Sequence, residues 1–326
     1  MKLCAWSALI FVATTATSWS ADPLPALLET EVISTLDNVR QGVRYWSPAE
    51  DEPRPLLVLL HTWSGDYKQE RSDWLAEAVE RKWHYIQPDF RGPNNRPEAC
   101  GSELARQDVI DALDWALGEF KVDQSRIYLA GVSGGGHMTM LMAGYAPQRF
   151  SAASAWVGIS DLAAWYEFHA PEGKADKYGQ MIFRSCGGVP SESDSIDAEY
   201  KSRSPLTVLA RATQLPLDLN AGVHDGHTGS VPVSHTLLAY NAVVGAAGGE
   251  MILPEEIEQL VRDEKLLSPG PSDTAVDPDY GVPLYLRRSQ GLTRVTIFEG
   301  GHEAKTHAAC EWLSRQQRKA ASPISK

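Results

Sequence analysis

The sequence predicts an α/β fold: a mostly parallel central sheet with helices on both faces and cap-like loop insertions. Three observations predict it. Leu56 to Leu60 is an unbroken apolar run, the pattern of a strand buried on both faces. Strand-like and helix-like patterns then alternate along the chain, the sign of a parallel sheet with right-handed crossovers. Finally, the β-favouring stretch Arg126 to Val132 passes through the glycine-rich segment Ser133 to His137 into an apolar helical pattern, Met138 to Ala146.

Taken in order, Asp22 to Asn38 reads as a lead-in with weak helical character and Val43 to Trp46 as a first edge strand. After the Leu56 strand comes a helix carrying Trp74, Leu75, Ala78 and Val79 on one side, then a strand from Trp83 to Gln87 stopped by Pro88. A long amphipathic helix runs from about Ser102 to Phe120, with Leu104, Val109, Ile110, Leu113 and Leu117 at helical spacing. Ser154 to Ile159 and Leu215 to Ala221 continue the sheet. Val233 to Val244 and Pro254 to Leu267 read as helices, Val295 to Phe298 as the last strand, and Ala304 to Gln317 as a closing helix. Two stretches break the rhythm, about 162–213 and about 246–290. Both are read as excursions over the strand ends, where loops carry binding function.

Composition narrows the function. With 326 residues, 43% of them apolar, the chain can fill a large core, and a net charge of −12 argues against a nucleic-acid or anionic-membrane surface. Met1 to Ser20 begins with Lys2, continues through an apolar run and ends in small residues, the pattern of a signal peptide cleaved after Ser20 or Ala21. A secreted or periplasmic protein without a membrane anchor is therefore expected. Removing that segment leaves Cys100, Cys186 and Cys310. Two readings stand: a disulfide between Cys100 and Cys186, on loops that meet above the site, or three buried thiols.

Gly131-Val132-Ser133-Gly134-Gly135 matches G-x-S-x-G, in which a serine on a strained strand-to-helix bend projects its hydroxyl into an open site. A phosphate loop is the weaker reading, because no Gly-Lys-Ser/Thr follows. A serine hydroxyl needs a base to take its proton and a carboxylate to orient that base. Histidine and acid are expected after later strands. His302 follows the last strand; His307 falls inside the closing helix, and His137 is too near the serine in sequence to return to it. Asp225, just past the Leu215 strand, is the first candidate for the acid and Asp161 the second. The amides of Gly134 and Trp63 are the expected oxyanion donors.

Gly131-x-Ser133-x-Gly135, the Asp225 loop ending in Val231-Pro232, Gly301-His302, and the Asp108 to Trp115 segment ahead of Arg126-Ile-Tyr together resemble the α/β-hydrolase catalytic domain of the prolyl oligopeptidase family and its esterase-like relatives. The resemblance spans about Leu56 to Gln317 and implies one domain over 21–326, with Ser133 as nucleophile, Asp225 as orienting acid and His302 as general base. Five residues separate Asp225 from Val231-Pro232, more than family members usually have. The family's peptidases usually carry a β-propeller ahead of this domain, and almost nothing precedes the first strand here.

On that ground the expected reaction is hydrolysis of a carboxylic ester, such as an acetyl or feruloyl group on polysaccharide, with a serine peptidase as the alternative. A non-catalytic binding module is a third reading, opposed by the intact serine, acid and histidine. Trp165 and Tyr166 are candidate substrate-binding aromatics at the mouth, the other reading being packing. His224, Asp225, His227 and His235 cluster in sequence but match no standard zinc spacing, so neither metal nor cofactor is expected.

Overall fold

A computed structural model of the chain describes residues 23–49 and 51–318; the expected signal peptide lies outside them. Among the described residues nine strands form one sheet: β1 (Leu28–Ile33), β2 (Arg40–Trp46), β3 (Arg54–Leu60), β4 (His84–Pro88), β5 (Val122–Val132), β6 (Ala152–Trp156), β7 (Leu217–Gly222), β8 (Leu284–Gln290) and β9 (Thr293–Phe298). Their spatial order is β1-β2-β4-β3-β5-β6-β7-β9-β8. The strands from β4 through β9 in that order run parallel, and antiparallel strands flank them at both edges. Helices α1 (Ser72–Glu80), α2 (Glu103–Glu119), α3 (Gly134–Tyr145), α7 (Ser234–Ala246), α8 (Pro254–Asp263) and α9 (Thr306–Ser314) accompany the sheet. The Leu56–Leu60 run is fully buried, as a strand covered on both faces must be. No helix among the described residues is long and apolar enough to cross a membrane.

Two edge elements differ from the sequence expectation. The lead-in contains a strand, not helical structure: β1 pairs antiparallel with β2, with Glu29 opposite Arg44, and the two side chains form an ion pair at 3.0 Å. Pairing along a sheet edge overrides a weak local helical pattern. In the second excursion, β8 pairs antiparallel with β9. Leu284 and Leu286 are the buried residues of β8, Tyr285 packs partly buried against the core, and Arg287 and Arg288 obscure the period of two.

The first excursion, 162–213, is built of short helices: α4 (Leu162–Phe168), α5 (Lys177–Cys186) and α6 (Asp194–Arg203). Each begins at a side-chain cap. Asp161 Oδ1 accepts the Ala163 and Ala164 amides at 2.9 and 3.2 Å, Asp176 Oδ1 those of Tyr178 and Gly179 at 2.8 and 3.0 Å, and Ser193 Oγ that of Ile196 at 3.4 Å. These helices enclose a second apolar cluster containing Trp63, Cys100, Trp165, Met181, Cys186 and Tyr200. Cys100 and Cys186 thus lie inside the packing under the cap and are free thiols, as is buried Cys310, which corrects the disulfide reading. Burial pushes the Cys100 thiol up to about 11.

One buried ion cluster ties the β1–β2 hairpin to the body. Arg91 donates through Nε and Nη2 to Asp108 of α2 at 2.6 and 3.0 Å, through Nη1 to Asp37 at 2.6 Å, and through Nη2 to Ser34 at 3.0 Å. Removing only the guanidinium strands a buried carboxylate. Arg91→Met is expected to lower the unfolding free energy by about 3 kcal/mol in urea titration, and adding Asp108→Leu to recover most of it. Unchanged stability of the single variant would show that the cluster is not holding the hairpin.

Candidate active site

Parallel strands deliver their following loops to one rim, and the loops after β3, β5, β7 and β9 meet there. At the end of β5 the chain reverses into α3 through Ser133, whose φ of 60° lies in the left-handed region that side chains avoid. The bend closes because Gly131 lacks a Cβ, which would collide with the Gly135 backbone. The Ser133 amide donates to Trp156 O of β6 at 2.9 Å, so the strained residue is pinned from the neighbouring strand.

The structure brings the three sequence candidates together. Ser133 Oγ lies 2.8 Å from His302 Nε2, and His302 Nδ1 lies 2.8 Å from Asp225 Oδ2. An ionised carboxylate only accepts, so Nδ1 carries the proton and donates it to Asp225. Nε2 is then left with the lone pair that accepts the Ser133 hydroxyl. Asp225 is fully buried at its side chain, and its other oxygen accepts the Val231 amide at 3.1 Å. Asp161, the second candidate, spends its carboxylate capping α4.

The longer loop between Asp225 and Val231 folds back over the pair. Gly229 packs so tightly there that a Cβ would overlap the Asp225 carboxylate and stand 2.8 Å from the His302 Cβ. The five intervening residues therefore cover the acid rather than displace it.

Gly134 lies against the Trp63 backbone nitrogen. Among the described residues no acceptor takes either N–H. Two free amides beside the serine form a cradle for a developing oxyanion. The Trp63 loop is fixed from outside. Gln69 receives the Thr62 amide at 2.9 Å and returns a bond to the Thr62 hydroxyl at 3.0 Å, while Trp63 O accepts the Asn94 amide at 2.9 Å.

Trp165 and Tyr166 do not line the mouth. Both are buried because α4 turns that face inward: Trp165 packs edge-on against Trp63 with ring centroids 4.6 Å apart and donates Nε1–H to Ser230 O at 2.7 Å, and Tyr166 packs against Tyr200. Trp165 supports the oxyanion loop and the acid loop from behind. The pocket at the serine, about 410 Å³, is instead lined by Ser133, His302, Trp63, Tyr178, Arg71 and Glu303, among others. Arg71, Tyr178 and Glu303 were not legible as pocket residues; only the adjacency of Glu303 to His302 is a signal in sequence. A larger apolar hollow of about 640 Å³ beside β8, lined by Leu266, Val276 and Val282 among others, contains none of the triad.

The other histidines named in the sequence analysis have partners of their own. His137 hydrogen-bonds Arg203 O through Nε2 at 2.8 Å, and burial pushes it down to about 4; His235 is likewise buried and pushed down to about 4. Both are neutral near pH 7. His227 bonds Val261 O at 2.7 Å, while His224 lies between Glu264 and Glu299. His307 is exposed on α9, 3.2 Å from Glu77.

Comparison with known proteins gives consistent relatives. The model of the Prolyl oligopeptidase family matches residues 73–249, over half of the chain, a span that includes Ser133 and Asp225. The chain is 27% identical over 230 residues to acylamino-acid-releasing enzyme 1 of Oryza sativa subsp. japonica, covering 64% of this chain and 28% of that protein. It is 30% identical over 192 residues to dipeptidyl aminopeptidase BIII of Pseudoxanthomonas mexicana, covering 54% and 26% respectively. A shorter match, 35% over 51 residues, links 16% of the chain to 17% of acetylxylan esterase A of Emericella nidulans. Among solved structures, Pyrococcus horikoshii acylaminoacyl peptidase superposes with a TM-score of 0.64 at 17% identity, over 92% of this chain and 43% of that one. The chain thus spans less than half the length of these peptidase relatives.

Because Gly229 touches both the acid and the base, Gly229→Ala is expected to reduce kcat by about 10-fold or more with the fold retained, read by steady-state kinetics beside circular dichroism. Unchanged kcat would mean that the loop does not constrain the pair.

Proposed function

The chain belongs to the prolyl oligopeptidase family, and from that premise we propose that it is a serine hydrolase cleaving acyl bonds of peptides through a covalent acyl-enzyme. The observation that carries this reading is the unbroken relay from Ser133 Oγ through His302 to Asp225, with 2.8 Å at each step. In the proposed cycle Ser133 Oγ attacks the substrate carbonyl as its proton passes to His302 Nε2. Charge grows on the carbonyl oxygen, where the Trp63 and Gly134 amides receive it. Asp225 remains ionised and stabilises the imidazolium. His302 then protonates the leaving amine, and water enters by the reverse path to release the acid and free the serine.

The preference for peptides over esters is supported by the relatives' names, acylamino-acid-releasing enzyme and dipeptidyl aminopeptidase. It revises the ester preference that the sequence suggested. Ester cleavage stays as the second reading, favoured by the short match to acetylxylan esterase A. Both reactions use the same relay and differ in how much protonation the leaving group needs.

Turnover of an N-acetyl-amino-acid p-nitroanilide and a dipeptidyl p-nitroanilide, set beside p-nitrophenyl acetate and acetylated xylan, separates the readings. Anilide turnover that falls at least about 10³-fold in Ser133→Ala is expected. Release of acetate from xylan with no anilide cleavage would put the ester reading first.

A further inference from the structure

β7 and β9 are parallel neighbours with Gly222 opposite Phe298, and the loops that leave them stay in contact: Val223 N donates to Phe298 O at 2.8 Å and His224 N to Gly300 O at 3.0 Å. The His224 side chain adds a second connection. Its Nδ1 lies 2.8 Å from Glu264 Oε1, just past α8, and its Nε2 lies 2.8 Å from Glu299 Oε1, just past β9. A neutral imidazole has one N–H and one lone pair, so it can bond only one of two carboxylates. Two such contacts require the imidazolium, with both ring nitrogens donating.

The surroundings agree with that protonation state. The hydrogen bond to Glu264, then that to Glu299, raises His224 above its ordinary value, while Tyr285 and then His224 hold the Glu299 carboxyl below the usual carboxylate range. Four further titratable groups adjoin the bridge, among them Glu303, which lies beside Gly300 and pairs with Lys305 at 3.2 Å. Tyr285 Oη of β8 donates to the second oxygen of Glu299 at 2.6 Å; His227 Nε2 stands 4.0 Å from Glu264 but is bonded to Val261 O; and Lys305 acts on Glu299 from beyond the His302 loop.

We propose that His224, as an imidazolium joining Glu264 to Glu299, is a positioning residue for the hydrolysis at Ser133. It adjoins Asp225 in the chain, and Glu299 is three residues before His302. The bridge therefore locks the acid-bearing loop to the base-bearing loop from the solvent side. This rests on the reading of Ser133, His302 and Asp225 as the reacting triad. Because the partners raise the proton affinity of His224 in the fold, the bridge is fully formed below its ordinary pKa of about 6.5 and is lost as the pH climbs through the raised value. Loop alignment, and with it kcat, should decline on the alkaline side.

The test is kcat and KM for p-nitrophenyl acetate from pH 6 to 10 in the wild type, His224→Gln, His224→Arg and Ser133→Ala. The wild type is expected to lose about two- to fivefold in kcat through the alkaline step, the range for a partly exposed charged bridge. His224→Gln should show that loss already at pH 7, with KM little changed and no alkaline step. His224→Arg, a permanent cation able to donate to both carboxylates, should keep a high kcat without the step. A His224→Gln enzyme with wild-type kcat and the wild-type alkaline step would overturn the proposal. If His224→Gln does not fold, an alkaline step retained in His224→Arg would overturn it instead. Near-wild-type turnover in Ser133→Ala would instead sink the triad reading on which the proposal stands, whereas a Ser133→Ala enzyme lowered at least about 10³-fold beside an unaltered His224→Gln sinks the bridge alone.

Discussion

The hydrogen bond between Ser133 and His302 joins residues 169 positions apart in sequence, and what makes it possible is the parallel register of β5, β7 and β9. Parallel strands end on the same side of a sheet, so the residues that follow them share one rim. Reversing any one of the three would have sent its member of the relay to the opposite end. The flanking antiparallel strands occur only at the two edges, outside the set that carries the chemistry.

Around the relay, much of the structure serves to hold short polar loops still. Ser133 sits at an unfavourable φ of 60°, an arrangement that persists only because glycine contacts and a bond to β6 over-determine it. Trp63 offers its amide at the site because its ring is wedged against Trp165, and Trp165 in turn bonds Ser230 in the acid loop. The cap helices therefore contribute through the oxyanion loop and the acid loop together. Tyr178 is the cap residue that reaches the pocket itself.

Legibility in the sequence followed physical strength. The parallel strands were visible because burial on both faces forces continuous apolar runs, as at Leu56 to Leu60. Ser133, Asp225 and His302 were visible because each stands in the turn or loop that follows a strand, and the elbow demands glycines around the serine. Edge strands β1 and β8 were not, since one face of each meets water and their stability comes from pairing that no local pattern records. The aromatic residues of α4 misled for a related reason. Trp165 and Tyr166 fall in an insertion over the site, but which face of a short helix turns inward is decided by packing partners distant in sequence, here Trp63 and Tyr200. Arg71 likewise carries no motif, and its place in the pocket follows from the loop before α1 folding back toward the serine.

The account reduces to one claim, that Ser133 is made nucleophilic by His302 in its Asp225-fixed orientation. Intact-protein mass spectrometry after exposure to a fluorophosphonate reads this directly, with the adduct site located by peptide mapping. One phosphonyl group per chain, on Ser133, and a labelling rate that collapses in His302→Ala are the predicted results. Absence of an adduct in the folded wild type, or an adduct on another residue that persists in Ser133→Ala, would contradict it.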